Sequence, residues 1–401
     1  MAEIAHRITE AGAVHDEREI EAVLEVLRTT TLDLGPRVEE FERRVAALLG
    51  KQHSVFVNSG TSALRLAIDL VSCERGDEII TSVLTFSSDV APLVQSGITP
   101  AFVDVEPDTY QIDVERIEEM VGPRTKAIMT PNLVGNLPDW DRIREIADQY
   151  GLLVIEDTCD VLGASLRGEV TGTRADIVAT SFARTHAMTC AGNGGAVAVD
   201  DPAWHDANLV RRRWGRRSET YLYGSRKGKD DRFGPLADGT PYDLIFVFDD
   251  IGYNFEPSEI MAAYGLVQLD KLEEFNKRRQ LNFAMLDDVM AKHEGKVVRP
   301  RTTAGAETTW MRYPFLLAEG IDRTAVQERF LERGIATRMV WTGNILRQPG
   351  FADIDHRAPK DGFPNADTVM DHATTLPVHH ALTSDDVGYL CEMADEVLRE
   401  L

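Results

Sequence analysis

The sequence predicts an α/β protein, a largely parallel sheet covered by helices on both faces. Two observations carry that expectation. Short β-branched runs recur at 53–57, 78–81, 99–104, 126–130, 152–156, 177–182 and 195–199, with helical patterns between several of them. The chain of 401 residues is also long enough for a sizeable core, and its 43% hydrophobic and 27% charged content is ordinary for a globular protein. That length anticipates one large α/β domain with a smaller partner, or roughly two to three domains.

Composition narrows the function classes. With 43 basic against 66 acidic residues the formal net charge is −23, which argues against nucleic acid as a partner. No apolar run reaches the roughly 18 residues of a membrane-spanning helix, so no membrane partner is expected. The first residues, MAEIAHRITEAGAVHDERE, have neither the basic nor the apolar stretch of a secretory signal. The four cysteines, Cys73, Cys159, Cys190 and Cys391, are too scattered for a disulfide framework or a zinc site; a cytoplasmic setting and no metal are expected.

Taken in order, the expected strand His53–Val57 runs into Asn58-Ser59-Gly60-Thr61-Ser62, followed by a helical pattern over Ser62–Val71. Glycine and hydroxyl residues at such a turn present N–H and O–H groups to a phosphate, and equally serve an ordinary N-cap. After the next three strands comes the amphipathic stretch Asp139–Tyr150. The strand Leu152–Glu156 then leads to Glu156-Asp157, acids that suit a cationic ligand group or a cap. Ile177–Phe182 opens the segment Ser181-Phe182-Ala183-Arg184-Thr185-His186, whose histidine suits proton transfer or a structural role. Gly192-Asn193-Gly194-Gly195 precedes the last strand, Gly195–Val199. Residues 211–250, rich in Arg, Gly and Asp, read as a long loop excursion, a length usually functional or mobile. Gly252-Tyr253-Asn254-Phe255, where Asn254 suits an anion or a turn, precedes a helix over Glu256–Arg279. That helix is expected to join a large domain, 1–279, to a small one, 280–401. Ligands of parallel sheets sit beyond the carboxyl ends of the strands, so the site is expected in the loops that follow them.

In this order and spacing, the segments LDLGPRVEEFE (Leu32–Glu42), NSGTSAL (Asn58–Leu64), FVDVEPDTYQID (Phe102–Asp113), IED (Ile155–Asp157), GYNFEPSEIMAAYGLVQLDKL (Gly252–Leu272) and HALTSDDV (His380–Val387) carry a resemblance over nearly the whole chain. It resembles the DegT/DnrJ/EryC1/StrS family of pyridoxal-phosphate-dependent sugar-modifying enzymes. The resemblance implies PLP-dependent fold type I, aspartate aminotransferase-like: a large domain with a mixed, mostly parallel seven-stranded sheet and a smaller C-terminal α+β domain. It implies pyridoxal 5'-phosphate and its amine form, pyridoxamine 5'-phosphate, as cofactors. Gly60, Thr61, Ser62 and Ser181 are implied at the phosphate and Phe86, in LTFSS, on the ring face. Asp157 is implied at the ring nitrogen, which it keeps protonated so that the ring accepts electrons. Asn254 is implied to reach the phosphate of a neighbouring subunit, hence a homodimer with shared active sites.

One position departs from the family pattern. Its aminotransferases read Ser-Phe-x-Pro-x-Lys, and the lysine binds the cofactor covalently. Here the sixth residue is His186, and no lysine occurs between Lys126 and Lys227. Imidazole moves protons but makes no stable imine. Together with Asp160 in DTCDVLG, in place of the aminotransferases' glutamine near the cofactor oxygen, TGNILRQPGF (Thr342–Phe351) and Asn136 in LVGNLPDWD, this is similar to the 3-dehydratases that make 3,6-dideoxyhexoses. One type of these uses an iron–sulfur cluster and a reductase. The lack of cysteine between Cys190 and Cys391, with Cys159 matching at most one ligand position, points away from it. The implied activity is L-glutamate-dependent C3 dehydration of a nucleotide-linked 4-keto-6-deoxyhexose, with His186 as acid and base and no iron–sulfur reductase partner. The alternatives are a transaminase or other eliminase acting on a nucleotide- or nucleoside-linked sugar, and a non-catalytic cofactor-binding protein. Three features depart from the dehydratase pattern: NSGTSAL is closer to the aminotransferases, Asn193 replaces a usual glutamate with one extra residue after His186, and Arg184 replaces the motif proline. Arg184 reads as a solvated surface residue. Sugar-reading residues are expected in 211–250 and near Asn344–Arg347.

Overall fold

The computed structural model describes residues 6–29, 31–229 and 232–401. Its centre is a seven-stranded sheet built from β1 (His53–Val57), β2 (Glu78–Ser82), β3 (Thr99–Val103), β4 (Thr125–Pro131), β5 (Leu153–Asp157), β8 (Ile177–Ser181) and β9 (Gly195–Val199), in the order β1-β9-β8-β5-β4-β2-β3. Every pairing is parallel except those of β9, which runs against both β1 and β8. Between β5 and β8 lies a small hairpin, β6 (Ser165–Leu166) and β7 (Glu169–Val170).

Alternate residues of a strand face opposite sides, and both sides here are apolar. Val55, Val57, Ala127, Ile155 and Val197 point to one face, under α3 (Gly60–Leu70), α4 (Ser87–Gln95) and α6 (Pro202–Arg212). Phe56, Ile128, Val154, Val178 and Ala196 point to the other, under α2 (Pro36–Leu48) and α5 (Trp140–Tyr150). The strand runs therefore read as continuous β-branched stretches, and their expected limits agree with the structure to within a residue or two. The difference at β5 matters: it ends on Asp157 itself.

The helix preceding the C-terminal part is longer than its expected span. α8 runs unbroken over Glu259–Met290, capped by Ser258, and packs against α1 (Glu17–Leu27), α2 and α11 (Ser384–Arg399). Residues 211–250 carry short elements where a bare loop was expected: α7 (Ser218–Leu222) and the hairpin β10 (Phe233–Pro235) with β11 (Pro241–Asp243). Towards the C-terminus, β12 (Val297–Val298), β14 (Arg312–Leu317) and β15 (Ala373–Pro377) form an antiparallel sheet. A two-residue strand, β13 (Ala306–Glu307), pairs instead with β6. Helices α9 (Arg323–Glu332) and α10 (Pro364–His372) contact that sheet. Ile8, from the start of the chain, lies in this C-terminal core and bridges to Ile335. A separate cluster joins Val83, Leu84 and Phe102 of the large sheet's side to Trp310, Val340, Ile345 and Phe363. Along that seam the C-terminal half reaches the carboxyl ends of the strands.

Candidate active site

A cavity of about 260 Å³ lies beyond the carboxyl ends of β1, β4, β5 and β8. It is lined by Ser59, Gly60 and Thr61 at the start of α3, Phe86 and Asp89 from α4 and its cap, Asp157 and Asp160 after β5, Ser181 and His186 after β8, and Trp341 from the C-terminal half. Residues far apart in sequence converge because each terminates a strand or opens the helix after it.

One end of the cavity is the first turn of α3. Early amides of a helix lack intrahelical acceptors and favour anions. Ser59 caps the helix by accepting from the Ser62 amide at 3.2 Å. Gly60 is required by close approach: a Cβ there would lie 2.6 Å from Ser181 Cβ and 2.9 Å from its hydroxyl. At Gly195 a Cβ would stand 2.3 Å from the Ser59 carbonyl oxygen. Two glycines thus let a helix N-terminus and the Ser181 hydroxyl share one small space. The Ser62 hydroxyl is turned inward instead, donating to Asn58 Oδ1 at 2.7 Å, so Ser62 does not line the cavity.

The opposite polar feature is acidic. Asp157 ends β5, and its Oδ1 accepts the Cys159 amide at 2.8 Å. Burial and the adjacent Asp89 carboxyl push its carboxyl well above the usual range. Burial likewise raises Asp89, to about 6, against hydrogen bonds from Thr85 and with Asp157. The Cys159 thiol, part-buried beside these acids, is pushed well up by burial and by their charge. Glu156 is on the other side of the pleat, satisfied by Asn132 Nδ2 and the Gly172 amide, each at 2.8 Å; it is structural.

His186 sits in the turn after β8. Arg279 of α8 fixes that turn from beneath, donating to the His186 carbonyl at 2.8 Å and the Ala187 carbonyl at 3.0 Å. Its Nδ1 is 3.5 Å from Asp160 Oδ1. The other oxygen of Asp160 accepts from the Val134 amide at 2.8 Å and from Trp341 Nε1 at 2.9 Å. Both donors hold left-handed backbone, at φ 59° and 46°. A β-branched or bulky residue adopts that region at a cost of order 1–3 kcal/mol, met by the surrounding packing. Two strained residues thus immobilise one carboxylate, whose free oxygen faces the imidazole. With Nδ1 turned to Asp160, Nε2 is the nitrogen left for a ligand. Phe86 is half exposed at the entrance, its ring edge-on to Trp341 at 5.6 Å.

Of the expected site residues, Gly60, Thr61, Phe86, Asp157, Asp160, Ser181 and His186 share this cavity. Asn254 does not: it is exposed and bridges Arg213. Asn136 is a buried pin, donating to the Thr109 and Arg301 carbonyls. Asn344 caps the turn Ile345–Arg347 and donates to Asp367, outside the cavity. Arg184 is exposed and donates to the Ala11 carbonyl at 3.3 Å. Sequence reading missed Asp89 and Trp341. Asp89 stood in an unremarkable helix start, and Trp341 bore no pattern linking it to a strand end some 180 residues earlier.

The geometry fits pyridoxal phosphate on the chain's own terms: an anion cradle that a single Cβ would fill, buried acids able to receive a cationic ring nitrogen, and aromatic side chains at the entrance. Sheet order and site together define PLP-dependent fold type I. The chain belongs to the DegT/DnrJ/EryC1/StrS aminotransferase family, whose model matches residues 14–394. It is similar to lipopolysaccharide biosynthesis protein RfbH of Salmonella typhimurium, 32% identical over 96% of this chain and 90% of that protein. It is also 32% identical to dTDP-4-dehydro-2,6-dideoxy-D-glucose 3-dehydratase of Saccharopolyspora spinosa, over 97% of this chain and 86% of the relative. A solved structure of GDP-4-keto-6-deoxymannose-3-dehydratase with a trapped PLP-glutamate geminal diamine matches with a TM-score of 0.88 at 27% identity, covering 96% of this chain and all of the other. Among the described residues, no helix is long and apolar enough to cross a membrane.

Proposed function

We propose that this protein is a PLP- and L-glutamate-dependent 3-dehydratase of a nucleotide-linked 4-keto-6-deoxyhexose. The observation that carries the reading is His186: an imidazole, backed by Asp160, lines the cavity where family aminotransferases place lysine, and no lysine lines it. The relatives that act on 4-keto sugars, and the glutamate adduct seen in one of them, support the substrate class and the amino donor.

Bound pyridoxal phosphate supplies an electron sink, and its amine form supplies the nitrogen that engages a ketone. The chain supplies the rest. Gly60, Thr61 and Ser181 would hold the phosphate at the start of α3, and Ser62 would support them through the Ser59 cap. Phe86 would cover the ring, and Asp157 would hold a proton on the ring nitrogen. His186 Nε2 would be placed to move a proton at the cofactor's C4′ carbon, with Asp160 orienting the imidazole from its Nδ1 side. Among the described residues no amine lines the cavity, so the chain would offer none to recapture an aminated cofactor.

The route proposed uses no iron–sulfur reductase; Cys190 is packed in the core, and Cys159 lies on the cavity wall. The working unit is a homodimer. Phe248 and Ile251, the latter 93% exposed, are apolar side chains just before exposed Asn254. A partner covering these side chains would take Asn254 towards its own phosphate cradle.

The test is a product assay with pyridoxal phosphate, L-glutamate and a panel of nucleotide-4-keto-6-deoxyhexoses, with no reductase added. The expected result is ammonia together with a ketosugar lighter by one oxygen. An amino sugar formed without ammonia would make the protein an aminotransferase despite His186.

A further inference from the structure

The cavity contains an acid that the reaction above does not use. Asp89 is in the first turn of α4, 1% exposed, and lines the same wall as Asp157. Its Oδ2 accepts from the Thr85 hydroxyl. Its Oδ1 is buried, and no N–H or hydroxyl among the described residues reaches it; the group beside it is the Asp157 carboxyl. Two carboxylate oxygens repel unless a proton lies between them, and a dyad of this kind holds a single proton. Among the described residues, the groups that act most strongly on the pair include no lysine or arginine. Asp160 and Cys159 follow Asp157 on the same segment, and His186 stands beyond Asp160. The first turn of α4 favours negative charge at Asp89, and Thr85 fixes the side chain through Oδ2, leaving Oδ1 unpartnered in the cavity that Asp157 also lines.

Given the cofactor placement proposed above, we propose that Asp89 is a positioning residue which shares one proton with Asp157, and that this proton passes to the ring nitrogen when the cofactor binds. The O–H bond of the pair breaks and an N–H bond forms. Both carboxylates are left ionised against one ring cation, and no proton is drawn from solvent. Without Asp89 the sharing is lost and burial alone holds the Asp157 proton less firmly; at a pH where that proton has gone, the ring nitrogen has to take one from water. Asp89 thus acts through Asp157 and touches no reacting carbon.

The experiment is calorimetric titration of the full-length protein with pyridoxamine phosphate. It is run in buffers of different ionisation enthalpy, at a pH above the ring nitrogen's own pKa, for the wild type and for Asp89→Asn. The expected result is that the variant takes up about one proton more per cofactor bound than the wild type. Equal uptake overturns the role of Asp89 and leaves the cofactor site intact, whereas no binding by either protein overturns the cofactor reading itself. A measurement on the wild type alone guards against misfolding of the variant. Its infrared difference spectrum on adding pyridoxamine phosphate should lose a protonated-carboxyl stretch, and a spectrum without that loss overturns the proposal.

Discussion

At the scale of single residues, the site depends on how firmly His186 is aimed. Asp160 is held by Val134 and Trp341, so the imidazole inherits its orientation from an indole in the other half of the chain. Removing one hydrogen bond to a charged group costs about 1.5–3 kcal/mol. Trp341→Phe keeps the ring at the entrance but frees Asp160. We expect kcat to fall about 10- to 100-fold with pyridoxamine phosphate affinity within about twofold of the wild type. Steady-state kinetics with an equilibrium titration checks this; an affinity loss as large as the loss in kcat would mean that Trp341 acts on the ring rather than through Asp160. His186, Asp157 and Asp160 were legible because each lies in a short motif at a strand end. Trp341 and Asp89 were not, since they matter only through contacts made by folding.

At the scale of elements, the strands were legible and the long helix was not. A strand buried on both faces advertises itself as a β-branched run bounded by turns, and β1 to β5, β8 and β9 do so. The helical period was followed only as far as Arg279, where the basic cluster Lys277-Arg278-Arg279 resembles a helix C-terminus. Arg279 is instead 3% exposed in mid-helix, donating to the carbonyls under His186, and the helix continues to Met290. The start of α3 shows the converse, a short element read correctly because its glycine and hydroxyls carry the constraint. Gly60→Ala places a methyl group 2.6 Å from Ser181 Cβ. Overpacking of this kind costs about 1–3 kcal/mol, and here the helix start or Ser181 must yield. The expected outcome is a destabilisation of that size in urea unfolding, with cofactor affinity reduced about 10-fold or more. Unchanged affinity would remove the α3 turn from the phosphate site.

At the scale of the whole molecule, the α/β architecture followed from strand order and apolar runs. The interlock of the two halves did not, because Ile8 joins a core made mostly by residues after 280, and no local pattern announces a contact across that distance. The same interlock makes stability depend on pH. His379 and His380 lie between α8 and the first residues of the chain: His379 Nε2 meets the Thr9 carbonyl at 3.0 Å, and His380 stacks on Phe275 at 4.0 Å. Burial, with nearby Arg279, lowers His379 to about 4 and His380 to about 2. Both are neutral when folded and take up protons near pH 6.5 when unfolded. The unfolded state therefore binds more protons below about pH 6.5, so the contribution of each histidine is present above that pH and declines as the pH falls towards 4. The loss is on the order of 3 kcal/mol each by pH 4. Urea midpoints measured between those limits should fall steeply. Among the described residues neither ring nitrogen of His380 has a partner, so His380→Phe keeps the stack while removing one titrating group, and should reduce the slope of unfolding free energy against pH by one proton. An unchanged slope would mean that the rings are not shut in between the two halves as the contacts with Thr9 and Phe275 require.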